Sequence, residues 1–213
     1  MSTIVIAGGH GKIAMRMARL LSAQGDQVRS IIRNPGHAAG VHGAGAEPVL
    51  ADMEALDSLA EFVEGADAVV FAAGAGPGSG PERKRTVDLG AAVKLLDAAR
   101  ATDVPRYLMV STIGAGDPAS GSEAMRPYLE AKAQADAALI ASDREWTIVR
   151  PGALTDDPGT GLVSVGHDEG GGSVTRDDVA AALVGCLDES RTVGKTFVLL
   201  QGETPIAQAL ASL

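Results

Sequence analysis

A phenol and an ammonium group stand four residues apart in the segment Tyr128-Leu-Glu-Ala-Lys132. On a helix this spacing places both side chains on one face, where the cation can lower the pKa of the phenol. Such a phenol can exchange a proton with a bound substrate, which suits the interconversion of a carbonyl and an alcohol. The spacing also arises by chance, so the pair predicts this chemistry only together with other features.

Two hydroxyl side chains, Ser111 and Thr112, end a predicted strand shortly before this pair. In a parallel α/β sheet they would lie at the carboxyl edge of the strands, where ligands collect. Thr112 is the better candidate for orienting a substrate carbonyl, with Ser111 as its neighbour. The alternative is that both hydroxyl groups satisfy backbone groups in a turn. We place Ser111, Thr112, Tyr128 and Lys132 in the candidate catalytic set.

The segment Gly8-Gly9-His10-Gly11-Lys12-Ile13-Ala14 lies between a short apolar strand and a helical pattern. Its small residues permit a tight turn, a close approach of the backbone to phosphate and close packing of the helix on the strand. The backbone N–H groups around Lys12 and Ile13 would point at a pyrophosphate, with the positive end of the helix dipole behind them. Because a strand precedes the turn and a helix follows it, the segment predicts a nicotinamide dinucleotide as cofactor.

The end of the second predicted strand selects between the two nicotinamide dinucleotides, and this chain has Arg33 there. An acidic residue would hydrogen-bond to the ribose hydroxyls of NAD, whereas a guanidinium group can bind the 2′-phosphate of NADP. No Asp or Glu stands between Val28 and Asn34. We therefore expect NADP(H) to be favoured over NAD(H). The alternative is a surface arginine without a ligand, since strand ends are often charged.

Further cofactor contacts are expected directly after the third and fourth predicted strands, at Asp52, Met53, Ala72, Ala73 and Gly74. Asp52 is placed to meet the adenine edge, and the small residues 72–74 can pass beneath the nicotinamide ribose without steric conflict. Asp52 is also suited to cap the helix predicted over residues 55–64. No metal site is predicted.

The elements that would position these residues alternate between short β-branched runs and longer helical patterns. This alternation predicts an α/β fold with a doubly wound parallel sheet, the Rossmann fold. The predicted strands cover residues 3–7, 27–33, 47–50, 68–73, 106–111, 146–150 and 196–200. The predicted helices cover residues 11–24, 55–64, 87–101, 127–142 and 174–187. Residues 74–81 and 159–172 are rich in glycine and predict loops, the second of them a candidate lid.

The composition is that of an ordinary globular chain, with 213 residues of which 46% are hydrophobic and 21% charged. We expect one domain over residues 1–213, in which residues 151–213 contribute a small substrate-binding portion. A net charge of −9 disfavours nucleic acid as a partner. The basic run Arg83-Lys84-Arg85 is too short to change this, and we interpret it as a solvated helix start or loop.

The single cysteine, Cys186, lies in an apolar helical stretch and cannot form a disulfide within the chain. This indicates a reducing compartment and a small core residue. The apolar N-terminus has no basic region before it and meets glycines after a few residues, so neither a signal peptide nor a membrane span is predicted. We expect a cytoplasmic protein with a small-molecule substrate and no membrane partner. A homodimer is one option for its assembly.

The glycine turn, the Ser111-Thr112 strand end, Tyr128-x-x-x-Lys132 and Arg150-Pro151-Gly152 together resemble the short-chain dehydrogenase/reductase superfamily. The resemblance covers most of the chain. The short length and the segments Val174-Thr-Arg-Asp-Asp-Val-Ala180 and Gly202-Glu-Thr-Pro-Ile206 are similar to its compact atypical members, which are often labelled NAD(P)-binding proteins or sugar epimerases.

The resemblance implies a role for each matching catalytic residue. Tyr128 would be the general acid/base, and Lys132 would hold the nicotinamide ribose and tune Tyr128. Thr112 or Ser111 would bind the reacting oxygen.

The resemblance also implies that Arg150-Pro151-Gly152 borders the substrate pocket, with Pro151 and Gly152 close to the cofactor. His10 stands where the family usually has a small residue, and it would crowd or contact the phosphates.

These features predict an NADP-dependent oxidoreductase that acts on a small carbonyl or alcohol. A nucleotide-sugar epimerase would use the same residues transiently, but resembling epimerases usually have a larger C-terminal region than the roughly 60 residues after Pro151. A dehydratase is disfavoured, because Ile113-Gly114-Ala115 supplies no acidic group. A non-catalytic NADPH-binding sensor or regulator is a third hypothesis, against which the retained Tyr/Lys pair argues.

Overall fold

The computed structural model describes residues 1–76, 78–167 and 171–213. The strands are β1 Thr3–Ala7, β2 Gln27–Ile32, β3 Glu47–Leu50, β4 Ala68–Phe71, β5 Arg106–Val110, β6 Glu145–Pro151, β7 Ala153–Thr155, β8 Leu162–Gly166, β9 Ser173–Thr175, β10 Lys195–Gln201 and β11 Thr204–Pro205. The helices are α1 Lys12–Gln24, α2 Ala38–Gly43, α3 Ala60–Val63, α4 over residues 81–101, α5 Arg126–Ile140, α6 Arg176–Asp188 and α7 Ile206–Leu210. Short 3₁₀ turns cover Pro35–His37, Pro118–Ser120 and Ser190–Thr192.

Within these described ranges, nine strands form one sheet in the order β11-β8-β10-β6-β5-β4-β1-β2-β3. The pairs from β10 to β3 are parallel, whereas β8 is antiparallel to both of its neighbours. Strands β7 and β9 form a separate parallel pair. The chain reverses its direction across the sheet between β1 and β4, which is the switch point where ligands bind in this class of fold. The predicted α/β fold with a doubly wound sheet is confirmed.

Alternate residues of the buried strands supply the two faces of the sheet to two hydrophobic cores. Ile4 and Ile6 of β1 belong to the core that contains the apolar faces of α1 and α6. Val5 of β1 belongs to the core beneath α4 and α5. Cys186 is buried in the first core, and burial raises the pKa of its thiol to about 12. It therefore stays protonated as a core residue, as the apolar sequence around it predicts.

Helix α3 is much shorter than predicted, because the expected helix over residues 55–64 begins only at Ala60. The carbonyl of Asp52 accepts from the N–H groups of Ala55 and Leu56, which closes a turn instead of a helix. The Ser58 hydroxyl then accepts from the N–H of Ala60 at 3.2 Å. Local polar contacts of this kind compete with helical hydrogen bonds and delay the helix start.

Helix α4 begins six residues earlier than predicted, at Pro81, which suits the first position of a helix because proline lacks an N–H group. It consists of α-helical Pro81–Arg83, π-helical Lys84–Ala91 and α-helical Ala92–Ala101. A π-helical stretch is rare and often lies at a functional site. The predicted loop over residues 74–81 therefore ends in a helix, and its Pro77 lies outside the described residues.

The prediction of one glycine-rich loop over residues 159–172 is wrong, because β8 lies within it and pairs with β10 and β11. The segment before β8 is held by the carboxylate of Asp178, which accepts from the N–H groups of Gly161 at 2.8 Å and Thr160 at 3.0 Å. Residues 168–170 lie outside the described residues, so the lid hypothesis is left without a test there.

None of the helices in the described part of the chain is long and apolar enough to cross a membrane.

Gly8 should tolerate substitution less well than Gly25, although both have a positive φ (81° and 90°). A Cβ on Gly8 would lie 2.6 Å from Cα of Ala73, whereas one on Gly25 would meet nothing within 4 Å. We expect Gly25→Ala to cost about 1 kcal/mol of unfolding free energy, from backbone strain alone. Gly8→Ala should cost about 3 kcal/mol, because it adds overpacking to the strain. Urea unfolding of the two variants measures the difference, and equal losses would contradict the close contact of β1 and β4.

Candidate active site and cofactor cleft

The glycine turn after β1 leaves the first N–H groups of α1 available to an anion. The N–H of Gly11 donates to the carbonyl of Gly8 at 2.8 Å, which closes the turn. Gly11 is the N-cap of α1 and, as a glycine, has no side chain with which to cap the helix. A Cβ on Gly9 would lie 2.4 Å from Cβ of Ser30, so the turn packs directly on β2. Uncapped N–H groups at the positive end of a helix fit a pyrophosphate.

A cleft of about 370 Å³ opens at the carboxyl ends of β1, β2, β3 and β4, across the switch point of the sheet. It collects most of the residues predicted to bind the cofactor, namely Gly8, His10, Gly11, Arg33, Asp52, Met53, Ala72, Ala73 and Gly74. It also contains residues for which the sequence predicted no cofactor contact, among them His37, Glu54, Arg83, Val87 and Ala91. The cleft therefore joins the glycine turn to the ends of three further strands.

Other predicted cofactor residues lie outside the lining of this cleft. Ile13 is buried against the core, and the side chain of Lys12 pairs with Asp156, which does not line the cleft. Pro151 ends β6. A Cβ on Gly152 would lie 2.5 Å from the carbonyl of Gly172, so the backbone passes too closely there for a side chain. The structure gives Gly152 a packing role and engages the side chain of Lys12 with Asp156.

Arg33 lines the cleft and pairs with the carboxylate of Glu54, a residue distant from it in the sequence. Its Nη1 is 3.0 Å from Oε2 of Glu54, which follows β3. Arg83 at the start of α4 reaches the same oxygen at 3.3 Å, and the hydroxyl of Thr86 donates to Oε1 at 2.6 Å. Arg83 lies at a helix start and is 40% exposed, as the interpretation of residues 83–85 expects, but it also pairs with Glu54, which that interpretation did not include.

Asp52 serves as the cap of the turn that follows β3, since its Oδ1 accepts from the N–H of Glu54 at 3.0 Å. It lines the cleft as well. The predicted role of Asp52 as the cap of a helix over residues 55–64 is wrong, because the helix begins only at Ala60 and Asp52 caps a turn instead.

The imidazole ring of His10 stacks on that of His37, with ring centroids 3.7 Å apart and planes 12° apart. The stack joins the glycine turn to the segment after β2, and both rings line the cleft. His10 thus contacts another side chain of the cleft wall, which the sequence did not predict.

The hydroxyl of Tyr128 lies close enough to the side chain of Thr112 to interact with it, so the start of α5 and the end of β5 meet here. The Nζ of Lys84 lies 4.9 Å from the centroid of the Tyr128 ring and donates to the carbonyl of Gly76 at 3.0 Å. The phenol and the hydroxyl predicted to handle the reacting oxygen are therefore brought together.

Lys132 is buried one helical turn after Tyr128, with 3% of its side chain exposed. Its Nζ donates to the carbonyl of Val110 at 2.8 Å and lies 4.0 Å from Oδ1 of Asp88, a fully buried residue of the π-helical stretch. The other oxygen of Asp88 accepts from the N–H of Ala75 at 3.3 Å. Among the described residues, Asp88 Oδ1 has no hydrogen-bond partner.

The hydroxyl group of Ser111 has different partners from that of Thr112. Its hydroxyl donates to Oδ2 of the buried Asp136 at 2.9 Å, and the guanidinium of Arg150 reaches the same oxygen at 3.1 Å and 3.2 Å. This arrangement engages Ser111 in a buried network. Thr112, which contacts Tyr128, is the hydroxyl better placed to meet a substrate.

The expectation that Lys132 lowers the pKa of Tyr128 is wrong for this arrangement. The pKa of Tyr128 is raised to about 12, first by burial and then by the negative charge of Asp88, while the side chain of Thr112 opposes the rise. Burial also lowers the pKa of Lys132, against the pull of Asp88 and Asp136. Since Asp88 lies beside the ammonium, it offsets the positive charge that would otherwise favour a phenolate.

The sequence contained a signal for Asp136, which follows Lys132 by four residues and Tyr128 by eight and so shares their helix face. The sequence also contained a signal for Asp88, which stands at helical spacing from the buried residues Ala91, Ala92 and Leu95. A charged residue on the apolar face of a helix indicates a buried carboxylate.

The comparisons with known proteins agree with the cleft and the sheet. The family described as NAD(P)H-binding matches residues 8–190. A Bacillus subtilis protein named "Uncharacterized sugar epimerase YhfK" is 39% identical over 212 residues, 99% of each chain. A structure from Bacillus halodurans, provisionally named a NAD-dependent epimerase/dehydratase, is 36% identical with a TM-score of 0.95 over 100% of both chains. The oxidoreductase ylbE from Lactococcus lactis is 31% identical with a TM-score of 0.88, covering 99% of this chain and 96% of its own.

The chain belongs to the NAD(P)H-binding family. A nicotinamide dinucleotide is its cofactor class, as the glycine turn predicts.

Tyr128 should remain protonated at pH values where an ordinary tyrosine, with a pKa of 10.0, ionises. Because its pKa is raised in the folded chain, the neutral phenol stabilises the fold below pH 10, and this contribution is lost as the pH rises toward 12. Ultraviolet titration of phenolate measures the ionisation, and Asp88→Asn should lower the pKa of Tyr128.

Tyr107 does not obscure this titration, since burial raises its pKa well above 10.0. Tyr128→Phe identifies the signal, because it should remove the first phenolate to appear. A wild-type phenolate that develops near pH 10 would contradict the raised pKa.

Proposed function

We propose that the protein is an NADP-dependent oxidoreductase of the short-chain dehydrogenase/reductase type that acts on a small carbonyl or alcohol. The observation that carries the proposal is the contact of Tyr128 with Thr112 beside the buried Lys132. Tyr128 and Thr112 would supply a proton donor and an orienting hydroxyl at the carboxyl edge of the sheet, next to β4, whose end lines the cofactor cleft.

The raised pKa of Tyr128 favours the direction of carbonyl reduction, because the phenol remains protonated at neutral pH. A bound reduced nicotinamide would supply a hydride to the carbonyl carbon. Tyr128 would give its proton to the carbonyl oxygen, and Thr112 would hold that oxygen in place. The products would be an alcohol and the oxidised cofactor.

Lys132 would act on this step through position and charge. Its ammonium is fixed by the carbonyl of Val110 and lies near Asp88. This arrangement would present a fixed positive charge to the ribose of the nicotinamide and to the phenol after proton transfer.

Arg33 supports the preference for NADP(H). Together with Arg83 it places two guanidinium groups at one end of the cleft against the single carboxylate of Glu54. The local excess of positive charge suits a 2′-phosphate.

The chain would act as one domain, with residues 151–213 forming the substrate side. This organisation is supported by β8, β10 and β11, which extend the same sheet beyond β6. A cytoplasmic location and a homodimer complete the proposal.

A sugar epimerase is the second candidate, and the names of the Bacillus subtilis and Bacillus halodurans relatives favour it. An epimerase would use the same Tyr128 and Lys132 but return the hydride to its substrate. Net consumption of cofactor therefore separates the two functions.

Purified protein should oxidise NADPH in the presence of some member of a panel of small aldehydes and ketones. Tyr128→Phe should lower kcat/KM by about a hundredfold or more, because it removes the proton donor. NADPH binding should be unchanged. The matched control is Tyr107→Phe, which deletes a buried hydroxyl that donates to Ala92 and lies outside the site.

Full activity of Tyr128→Phe would contradict the proposed mechanism. Conversion of a nucleotide sugar into its epimer without net NADPH loss would favour the epimerase. NADPH binding without turnover of either substrate class would favour a sensor.

Arg33→Ala should weaken NADPH binding by about tenfold and leave NADH binding nearly unchanged, since the lost contact is to the 2′-phosphate. Fluorescence titration of both cofactors measures the ratio. Arg85→Ala removes the same charge from an exposed position and is the control. An unchanged ratio in Arg33→Ala would show that the cofactor preference lies elsewhere.

A further inference from the structure

The Glu54 carboxylate has an unusual set of donors for a partly exposed residue. It accepts from Arg33 at the end of β2, from Arg83 in the first turn of α4, and from the hydroxyl of Thr86. Two guanidinium groups and one hydroxyl, contributed by the end of β2 and the start of α4, converge on one carboxylate. This is also a donor set that binds a phosphate monoester.

Glu54, Arg33 and Arg83 all line the cofactor cleft. In this class of fold the adenosine ribose lies at the carboxyl end of β2, which is where Arg33 begins to leave the sheet. A 2′-phosphate on that ribose would therefore compete with Glu54 for the same hydrogen-bond donors.

We propose that Glu54 occupies the place of the 2′-phosphate and is the residue that sets the degree of preference for NADP(H) over NAD(H). The proposal rests on the proposed NADP preference of Arg33. NADP(H) must displace the carboxylate from both guanidinium groups, whereas NAD(H) can leave it in place and donate its ribose hydroxyls to it.

The charges explain why the displacement matters. With Glu54 present, the two arginines carry a local charge of one positive unit, and a phosphate dianion would bring it to one negative unit. Without the carboxylate, the same dianion would neutralise the two arginines completely. Repulsion between Glu54 and the phosphate therefore opposes binding of NADP(H), and it does not act on NAD(H).

The exposure of the three side chains permits the exchange. Glu54 is 27% exposed, Arg83 40% and Arg33 54%. Ion pairs at such positions are weak and can be broken at small cost, unlike the buried pair of Lys132 and Asp88. Glu54 can thus move aside without disturbing the catalytic residues.

The test uses two nucleotides that differ only by the 2′-phosphate, adenosine 2′,5′-bisphosphate and 5′-AMP, in calorimetric titrations of the full chain. Glu54→Gln should bind the bisphosphate about tenfold more tightly than wild type, because the competing charge is gone. Binding of 5′-AMP should not improve. Glu54→Ala should also bind the bisphosphate more tightly than wild type. Agreement of the two variants shows that the gain comes from loss of the carboxylate and not from a contact of the new glutamine.

Glu82→Gln is the matched control, since it removes a carboxylate from the exposed start of α4 outside the cleft. It should leave both affinities unchanged. An equal gain for both nucleotides in Glu54→Gln, or a gain in Glu82→Gln as large as in Glu54→Gln, would indicate a general field effect and overturn the proposal.

A loss of bisphosphate binding in Glu54→Gln would also overturn it, because the carboxylate would then be holding the arginines ready for the phosphate. The same titration of Arg33→Ala shows which proposal has failed, the role of Glu54 or the preference for NADP(H). If Arg33→Ala weakens bisphosphate binding and Glu54→Gln does not strengthen it, the preference stands and the role of Glu54 falls. If Arg33→Ala has no effect, both fall.

Discussion

The burial of the Lys132 ammonium is the constraint on which the site depends. A buried cation without partners would be costly, so its surroundings must supply negative charge and acceptors. The carbonyl of Val110 supplies an acceptor from β5, and Asp88 supplies a carboxylate from α4. Lys132 itself belongs to α5. Satisfying one charge therefore fixes two helices and a strand relative to one another.

This constraint also determines the state of Tyr128. The helix that carries Lys132 carries Tyr128 one turn earlier, and the strand that ends at Val110 leads directly to Thr112. Asp88 stabilises the lysine and at the same time disfavours ionisation of the phenol. The result is a neutral phenol next to a fixed cation, an arrangement suited to donating a proton and then stabilising the anion left behind.

The parts of this site that the sequence predicts are those with local signals. The strand, turn and helix around Gly8 follow one another directly, and Tyr128 and Lys132 lie within one helical turn. The order of apolar strands was sufficient to predict the parallel sheet. The start of α3 was missed because the turn contacts of Asp52 and Ser58 compete with helical hydrogen bonds in a way that periodicity does not reveal.

Non-local charges were missed for a different reason. Glu54 is 21 residues from Arg33, and their contact exists only because β2 and β3 are neighbours with adjacent carboxyl ends. The pKa of Tyr128 likewise depends on Asp88, forty residues earlier in the chain. A motif such as Tyr-x-x-x-Lys identifies the reacting groups, but their protonation state is the sum over all nearby charges.

The charged groups around Lys132 and those around Arg33 therefore differ in how deeply they are buried. Around Lys132 the charges are buried, so replacing one partner leaves another uncompensated and disrupts the whole arrangement. Around Arg33 they are partly exposed, and water can compensate any one of them. Substitutions at the adenosine end can consequently change the cofactor preference while the geometry at Tyr128 is preserved. In this fold, cofactor choice and proton transfer can be altered separately because only one of them depends on buried charge.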